Sequence, residues 1–232
     1  MAGLFITATG TGIGKTAITA LFIRQLIAAG ERPKVLKPVL SGFDAPHPEL
    51  SDAAVLLAAV GMAVTAKSLD NISPWRFAAQ LSPDMAAARE GRAIPFDELV
   101  GWCVQQLENA HGPVLIEGVG GAMVPLGPCH TVLDWMAALK LPALLVSGTY
   151  LGSISHALTT LMALETRGIA VAGVVLNTSA DAAVAADEMR DVLARFTDVP
   201  IHIVPRLKMA VNGVPETEGT PNLTGLFATT AA

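Results

Sequence analysis

Near the start of the chain, glycines, a lysine and a threonine fall at spacings suited to holding phosphate. They occur in the segment Thr9-Gly10-Thr11-Gly12-Ile13-Gly14-Lys15-Thr16, between an apolar run and a helical pattern. Glycines allow successive backbone N–H groups to point inward, and the helix N-terminus adds a favourable dipole. The lysine would contact the outer phosphates of a nucleoside triphosphate, and the threonine would ligate Mg²⁺. The spacing predicts a nucleotide site built from Gly12, Ile13, Gly14, Lys15 and Thr16.

This loop is a variant of the usual phosphate-binding pattern, which places a glycine six residues before the lysine. Thr9 occupies that position here. The alternative interpretation is a glycine-rich turn that joins an ordinary strand to its helix. Gly10 stands where partition and nitrogenase-type ATPases carry a signature lysine, so the sequence argues against a dimer-switch ATPase of that kind.

A second lysine, Lys37, interrupts the apolar run Val35–Val39, which we predict to be a strand. A buried charge is costly unless it is paired or lies at the end of a strand, and Pro38 ends regular pairing just after it. Ligands bind at the carboxyl ends of parallel strands in open α/β folds. Lys37 is therefore expected to contact an anionic substrate or a phosphate. The alternative is an edge lysine that reaches solvent. Ser41 could hydrogen-bond a substrate or simply occupy a turn.

An acidic residue, Glu117, ends the apolar strand Val114–Glu117 and is followed by Gly118-Val119-Gly120-Gly121. Many phosphate-loop proteins hold Mg²⁺ or its bound water with an acid placed in this way, and glycines let the backbone approach a ligand. A solvent-facing carboxylate is the alternative. Asp52 taken alone is typical of the first turn of a helix. The histidines show no metal-ligand spacing, so no zinc site is predicted.

Apolar strands alternate with helical patterns along the chain, which predicts an α/β fold. We expect a mostly parallel sheet with helices on both faces, in the three-layer α/β/α arrangement of phosphate-loop NTPases. The predicted strands are Leu4–Thr7, Val35–Val39, Val114–Glu117, Ala143–Ser147, Val171–Leu176 and Ile201–Val204. The predicted helices are Gly14–Ala29, Leu50–Val60, one opened by Ser82-Pro83-Asp84, Pro95–Asn109, Ser153–Thr166 and Ala182–Phe196.

The composition limits the domain organisation and the partners. With 232 residues and no evident linker, residues 1–232 are expected to form a single domain, with a loosely packed tail from about Val211. A net charge of −5 argues against nucleic-acid binding. Two cysteines are too few for a disulfide framework, which favours a cytoplasmic protein. The longest stretch without a charge, Leu141–Leu164, contains Pro142 and two glycines, so we predict a strand, a turn and a helix rather than a membrane span.

Together these segments resemble the dethiobiotin synthetase family of ATP-dependent cyclo-ligases. The similarity extends over residues 4–207 in the same order. It rests on the Thr9–Thr16 loop, Lys37-Pro38-Val39 with Ser41-Gly42, Ser51-Asp52-Ala53, Ser82-Pro83, Glu117–Gly121, Asp134-Trp135, Leu151-Gly152 with His156, Asn177 and Val204-Pro205.

The resemblance implies a reaction in which 7,8-diaminononanoate and CO₂ form a carbamate, ATP phosphorylates it, and the second amine closes a ureido ring. It implies that Lys15 and Lys37 neutralise the reacting anions. Thr16, Asp52 and Glu117 would hold Mg²⁺, while Thr11 and Ser41 would touch the diamine or carbamate. The nucleotide would also contact Gly118, Val119, Gly120 and Asn177, and the backbone of Pro205-Arg206-Leu207 would face the adenine.

The resemblance further implies a homodimer with the substrate at the interface. The partner's turn, made of Leu151, Gly152, Ser153, Ile154 and Ser155, would bind the substrate carboxylate through backbone N–H groups. Three positions depart from the family: Gly12 replaces a glutamate found in some members, Tyr150 a basic residue, and Ser155 an asparagine. Two other functions stay open from the residues alone. One is a related phosphate-loop amide ligase, and the other is a nucleotide-binding regulatory or scaffold protein without ligase chemistry.

Overall fold

A parallel sheet of six strands forms the centre of the molecule in the computed structural model, which describes residues 3–179, 182 and 184–228. Its strands run in the order β2-β5-β1-β6-β7-β8, and every neighbouring pair is parallel. The strands are β1 Gly3–Ala8, β2 Lys34–Leu36, β5 Val114–Glu117, β6 Ala143–Gly148, β7 Val171–Asn177 and β8 Ile201–Val204.

Helices cover both faces of this sheet, because alternate residues along each strand pack to opposite sides. Leu4, Ile6 and Ala8 of β1 pack on one face, and Phe5 packs on the other, against Trp135, with ring centroids 4.8 Å apart. The helices are α1 Lys15–Ala28, α2 Asp52–Ala59, α3 Ala66–Ile72, α4 Pro83–Arg89, α5 Phe96–Glu108, α6 Val132–Leu139, α7 Ser153–Thr166, α8 Ala186–Leu193 and α9 Gly225–Ala228. The three-layer α/β/α prediction is confirmed.

A second sheet, of two short parallel strands, lies beside the first. Its strands are β3 Val39–Ser41 and β4 Trp75–Phe77. The predicted single strand Val35–Val39 is therefore wrong: β2 ends at Leu36, and Val39 already belongs to β3. The physical reason is Pro38, which lacks an N–H for the ladder, so the chain leaves one sheet at Lys37 and enters the other.

Two further predictions need correction. The helix expected over Ala182–Phe196 is confined to Ala186–Leu193, and Ala183 lies outside the described residues. The segment after Val211 is also more tightly packed than expected, because Leu223, Leu226 and Phe227 are buried against the face of the sheet that α1 covers. Their apolar side chains lie among polar and turn-forming residues, which concealed the pattern. The predicted strand, turn and helix across residues 141–164 are confirmed by β6 and α7. In the described part of the chain, every helix is too short or too polar to cross a bilayer.

Candidate active site

The glycine-rich loop connects β1 to α1 at the carboxyl edge of the main sheet. Gly12 and Gly14 have φ of +74° and +92°, a left-handed backbone that favours glycine. A side chain at Gly14 would also collide with the amide of Asn177, which ends β7. That amide donates a hydrogen bond to the Ile13 carbonyl, Nδ2 to O 2.9 Å. The Asn177 side chain at the end of β7 thus holds the loop in the backbone conformation expected of a phosphate-binding loop.

Lys15 begins α1 and is almost fully buried, at 7% exposed. Its Nζ donates to the Gly120 carbonyl over 2.6 Å. Burial, reinforced by the nearby charge of Lys37, lowers the pKa of Lys15 to about 8, and the carboxylates of Glu117 and Asp52 offset part of this shift. A bound phosphate would restore the missing anionic partner.

Lys37 lies between the two sheets, at the break forced by Pro38, and is 2% exposed. Its Nζ donates to Glu117 Oε1 and to the Gly118 carbonyl, each over 2.7 Å. The same Glu117 oxygen accepts a hydrogen bond from Thr16 Oγ1 over 2.8 Å. Thr16 from α1 and Lys37 from the segment after β2 therefore converge on one fully buried carboxylate at the end of β5.

Asp52 adds a second carboxylate at the edge of this cluster. Ser51 caps α2, with its hydroxyl accepting from the Ala54 N–H, and so fixes Asp52 as the first residue of the helix. Asp52 Oδ2 lies 3.7 Å from Lys37 Nζ, and its side chain is half exposed. Asp52 therefore lies in the first turn of a helix, as the residues alone predict, and also lies beside Lys37.

The oxygen groups in this cluster fit Mg²⁺. Glu117 Oε2 is buried and lacks a hydrogen-bond partner, which is costly for a carboxylate oxygen and is typical of an atom that awaits a cation or its water. Thr16 and Asp52 supply two more oxygens nearby. Among the described residues, no group of three or more His, Cys, Asp or Glu side chains could hold a metal by itself. This agrees with Mg²⁺, which is usually held by one or two carboxylates together with phosphate oxygens.

A cavity of about 540 Å³ opens directly over these groups. It brings together most of the residues predicted for the reacting end of the site: Thr11, Gly12, Gly14, Lys15, Thr16, Lys37, Ser41, Asp52, Val119 and Gly120. The hydroxyl oxygen of Ser41 is buried there without a partner. Sequence reasoning missed the remaining wall, made of Leu40, Gln80, Leu81, Ser82, Pro83 and Val124. The available signal was Ser82-Pro83, which indicates the start of a helix and is also one of the segments that carry the family resemblance.

The other predicted residues lie outside this cavity. Pro205, Arg206 and Leu207 line a separate one of about 320 Å³, together with residues 216 and 218–220. At the start of α7, Leu151 is 86% exposed, whereas Ser153 is buried. Both the hydroxyl and the backbone N–H of Ser153 donate to the Tyr150 carbonyl, so Ser153 is engaged within its own turn. Tyr150 Oη also lies 2.8 Å from His156 Nδ1, which ties the preceding loop to the helix.

The fold and the loop define a protein of the phosphate-loop NTPase class. Two MinD cell division proteins share this fold. The one from Aquifex aeolicus has a TM-score of 0.53 at 17% identity, covering 99% of this chain and 95% of its own. The one from Pyrococcus horikoshii, complexed with Mg-ADP, has a TM-score of 0.51 at 18% identity, covering 98% and 91%.

Sequence similarity narrows the class further. A family model described as an AAA domain matches residues 2–212. An ATP-dependent dethiobiotin synthetase BioD from Acidiphilium cryptum is 50% identical over 207 residues, which are 88% of this chain and 93% of that protein. Its counterpart from Methylobacterium nodulans is 45% identical over 212 residues, 89% and 94% of the two chains. The chain belongs to the ATP-dependent dethiobiotin synthetase family.

Proposed function

We propose that the protein closes the ureido ring of dethiobiotin from 7,8-diaminononanoate, CO₂ and ATP, releasing ADP and phosphate. The observation that carries this proposal, beyond family membership, is the convergence of two buried ammonium groups on the Glu117–Gly120 turn beside the phosphate loop. A nucleotide-binding protein that only exchanges or hydrolyses nucleotide has no evident need for the second, Lys37. A ligase that must hold a carbamate next to a phosphoryl group does.

Lys37 is proposed to bind the carbamate and to neutralise the charge that grows as the carbamate oxygen attacks the γ-phosphorus. Its three N–H donors are divided between Glu117, Gly118 and the cavity, so one donor can reach a ligand without breaking the other two contacts. An ammonium group held in a buried site acts more strongly on a developing anion than it would in water.

Lys15 and the loop are proposed to hold the triphosphate. Gly12, Ile13 and Gly14 supply backbone N–H groups, Lys15 reaches the outer phosphates, and Gly118, Val119 and Gly120 line the opposite side. Mg²⁺, when bound by Thr16, Asp52 and Glu117, would neutralise charge on the β- and γ-phosphates. Thr11 and Ser41 are proposed to contact the diamine or the carbamate, and both line the same cavity as Lys37.

The adenine is proposed to bind between Asn177 and the backbone of Pro205-Arg206-Leu207. The Asn177 amide already spans the loop through the Ile13 carbonyl, and its Oδ1 is left to accept from a base. The 205–207 segment borders its own cavity beyond the end of β8. This arrangement separates the base from the reacting phosphate.

A cytoplasmic homodimer is the proposed working form. In it, the exposed turn at Leu151, Gly152, Ile154 and Ser155, with the adjoining Ser153, would bind the substrate carboxylate of the other protomer. The 86% exposure of Leu151 leaves its apolar side chain accessible to a second protomer.

The test is product formation. Purified protein supplied with diaminononanoate, bicarbonate and MgATP should form dethiobiotin with one phosphate released per ring, measured by mass spectrometry and a phosphate assay. If the protein binds ATP and forms no dethiobiotin, the substrate assignment is refuted. ATP binding with no phosphate release under any of these conditions would instead support a regulatory protein. Phosphate release that depends on another carboxylate and an amine donor would support a related amide ligase.

A further inference from the structure

The wall of the active-site cavity that comes from the small sheet carries polar side chains with no hydrogen-bond partner among the described residues. Ser41 ends β3, and its buried hydroxyl has no hydrogen-bond partner. Gln80 and Ser82 follow β4 and line the same cavity. Neither side chain makes a hydrogen bond within the described part of the chain. A few polar side chains that converge on a cavity are typical of groups that fix the orientation of a ligand.

Ser82 deserves a structural explanation because it occupies a capping position without capping. It directly precedes α4, where a serine usually accepts from a backbone N–H of the first turn. Its side chain makes no such bond, in contrast to Ser51 at the start of α2. The hydroxyl of Ser82 is therefore available to the cavity.

The loop that carries Gln80 is held by hydrogen bonds of the two residues before it, Ala78 and Ala79, and not by the Gln80 side chain. The N–H of Gly42 donates to the Ala79 carbonyl over 3.0 Å, and the N–H of Ala78 donates to Glu90 Oε1 over 2.7 Å. Gly42 has φ of +76°, and a Cβ there would lie 3.3 Å from Gln80 Cγ. The close approach at Gly42 thus brings the glutamine to the mouth of the cavity while its amide stays free.

The chemistry of the cavity assigns a partner to this amide. The main-sheet side presents two ammonium groups, which suit the carbamate and the phosphates. The amine that closes the ring needs the opposite: a neutral hydrogen-bond acceptor that takes one of its N–H protons and leaves its lone pair free. A carboxylate would instead favour the protonated, unreactive ammonium. The amide carbonyl of Gln80 meets this need, and the Ser82 hydroxyl offers a second acceptor.

We propose that Gln80, which is exposed at the mouth of the cavity, binds the amine of the diamine that is not carboxylated and, assisted by the half-buried Ser82, orients it for ring closure. This inference rests on the proposed function. In the step itself, the amine nitrogen forms a bond to the carbamate carbon, and the bond from that carbon to the phosphate oxygen breaks. Phosphate leaves with the electron pair and accepts the proton that the amine loses. Gln80 stays unchanged and contributes position alone.

The decisive variant is Gln80→Met, which keeps the length of the side chain and removes its carbonyl. We expect the KM for the diamine to rise about tenfold, the value of one hydrogen bond to a neutral partner, while the KM for ATP changes less than twofold. Ser82→Ala should raise the diamine KM by a smaller factor. Gln105→Met is the matched control, because Gln105 is exposed on α5 and does not line the cavity. An unchanged diamine KM in Gln80→Met overturns the proposal.

A binding measurement separates this inference from the proposed function. Calorimetry with the two single-amine analogues of the diamine, each lacking one of the two amines, needs no turnover. Gln80→Met should lower the affinity for one analogue about tenfold and leave the affinity for the other unchanged. Equal weakening of both would place Gln80 on the alkyl chain and overturn the assignment, as would no weakening of either. If Gln80→Met and the wild type differ in this pattern and the wild type forms no dethiobiotin, only the proposed function is refuted.

Discussion

The two sides of the active-site cavity differ in how their polar groups are satisfied. On the main-sheet side, Lys15, Thr16 and Lys37 all donate to atoms of the Glu117–Gly120 turn, over 2.6 to 2.8 Å. On the small-sheet side, Ser41, Gln80 and Ser82 have no such partners. The first side is an internal network of buried charges, and the second is a set of neutral groups open to a ligand.

This difference follows from the cost of burial. A buried ammonium or carboxylate without a counter-charge is strongly destabilising, so Lys37 and Glu117 must be paired before any substrate arrives. The free-energy cost of a neutral hydroxyl or an exposed amide that has no hydrogen-bond partner before the substrate binds is far smaller. The molecule can therefore leave its neutral, specificity-bearing groups open, while its charged groups are organised by the fold itself. Changes to the charged side chains should affect chemistry and stability together, and changes to the neutral side chains should affect substrate binding alone.

The largest effect is expected from Lys37→Met. Loss of the ammonium removes a charge that would stabilise the phosphoryl-transfer transition state, and we expect kcat to fall about 10³-fold. The nucleotide is bound mainly by the loop and Lys15, so its affinity should change little. Steady-state kinetics and nucleotide calorimetry measure the two effects.

Lys34→Met is the matched control for this variant. Lys34 lies three residues earlier in β2, and its Nζ contacts the Gln106 carbonyl far from the cavity lining. This control should keep normal turnover. Turnover near the wild-type rate in Lys37→Met would remove Lys37 from the mechanism.

Glu117→Gln should have the next largest effect. The amide preserves the shape of the side chain and loses the charge that pairs with Lys37 and that is proposed to hold Mg²⁺. We expect the Mg²⁺ concentration for half-maximal activity to rise by about 10–100-fold. We also expect the free energy of unfolding to fall by about 3 kcal/mol, since Lys37 stays buried with a weaker partner. A titration of activity with Mg²⁺ and urea unfolding test both parts; an unaltered Mg²⁺ requirement would contradict the metal assignment.

Gly42→Ala should have the smallest effect, and it probes the neutral side. The left-handed backbone costs an alanine about 1 kcal/mol, and the new Cβ presses on Gln80. Gly61→Ala is a close control, because Gly61 has φ of +77° and open space around its Cβ position. Both variants should lose similar stability in urea unfolding, and only Gly42→Ala should raise the diamine KM, by about threefold. Equal diamine KM values in the two variants would show that the small sheet does not contribute to substrate binding.

The charged side could be predicted from the sequence because each of its residues ends an apolar strand or begins a helix. Lys37 stands out as a charge within an apolar run and Glu117 as a charge that ends one, and parallel strands carry their carboxyl ends to one edge. The phosphate loop has its own local pattern. The convergence of Lys15 and Lys37 on backbone carbonyls of the glycine turn could not be predicted, because it depends on how far each side chain reaches in the folded molecule.

On the neutral side, the sequence indicates Ser41 as a candidate substrate contact, but Gln80 and Ser82 could not be predicted, for a different reason. The strand β4, Trp75–Phe77, is three residues long and has no periodic signal. Its pairing with β3 depends on the break at Pro38, which takes the chain out of the main sheet. Without that pairing, Gln80 is an ordinary polar residue in a loop, and Ser82 is an ordinary helix cap.

The packing around α1 has a consequence for how the protein is made. The amide of Gln25 bonds to Thr220, Pro221 and Leu223, residues 195 to 198 positions further along the chain, and Phe22 packs edge-on against Phe227. During synthesis, the helix that begins at Lys15 leaves the ribosome long before the residues that cover it. Until residues 220–227 have been synthesised, the apolar face of this helix must be covered by a chaperone or by a partly formed sheet. A nascent chain stalled before residue 220 should therefore be unable to bind nucleotide, although every glycine of the loop has already been translated.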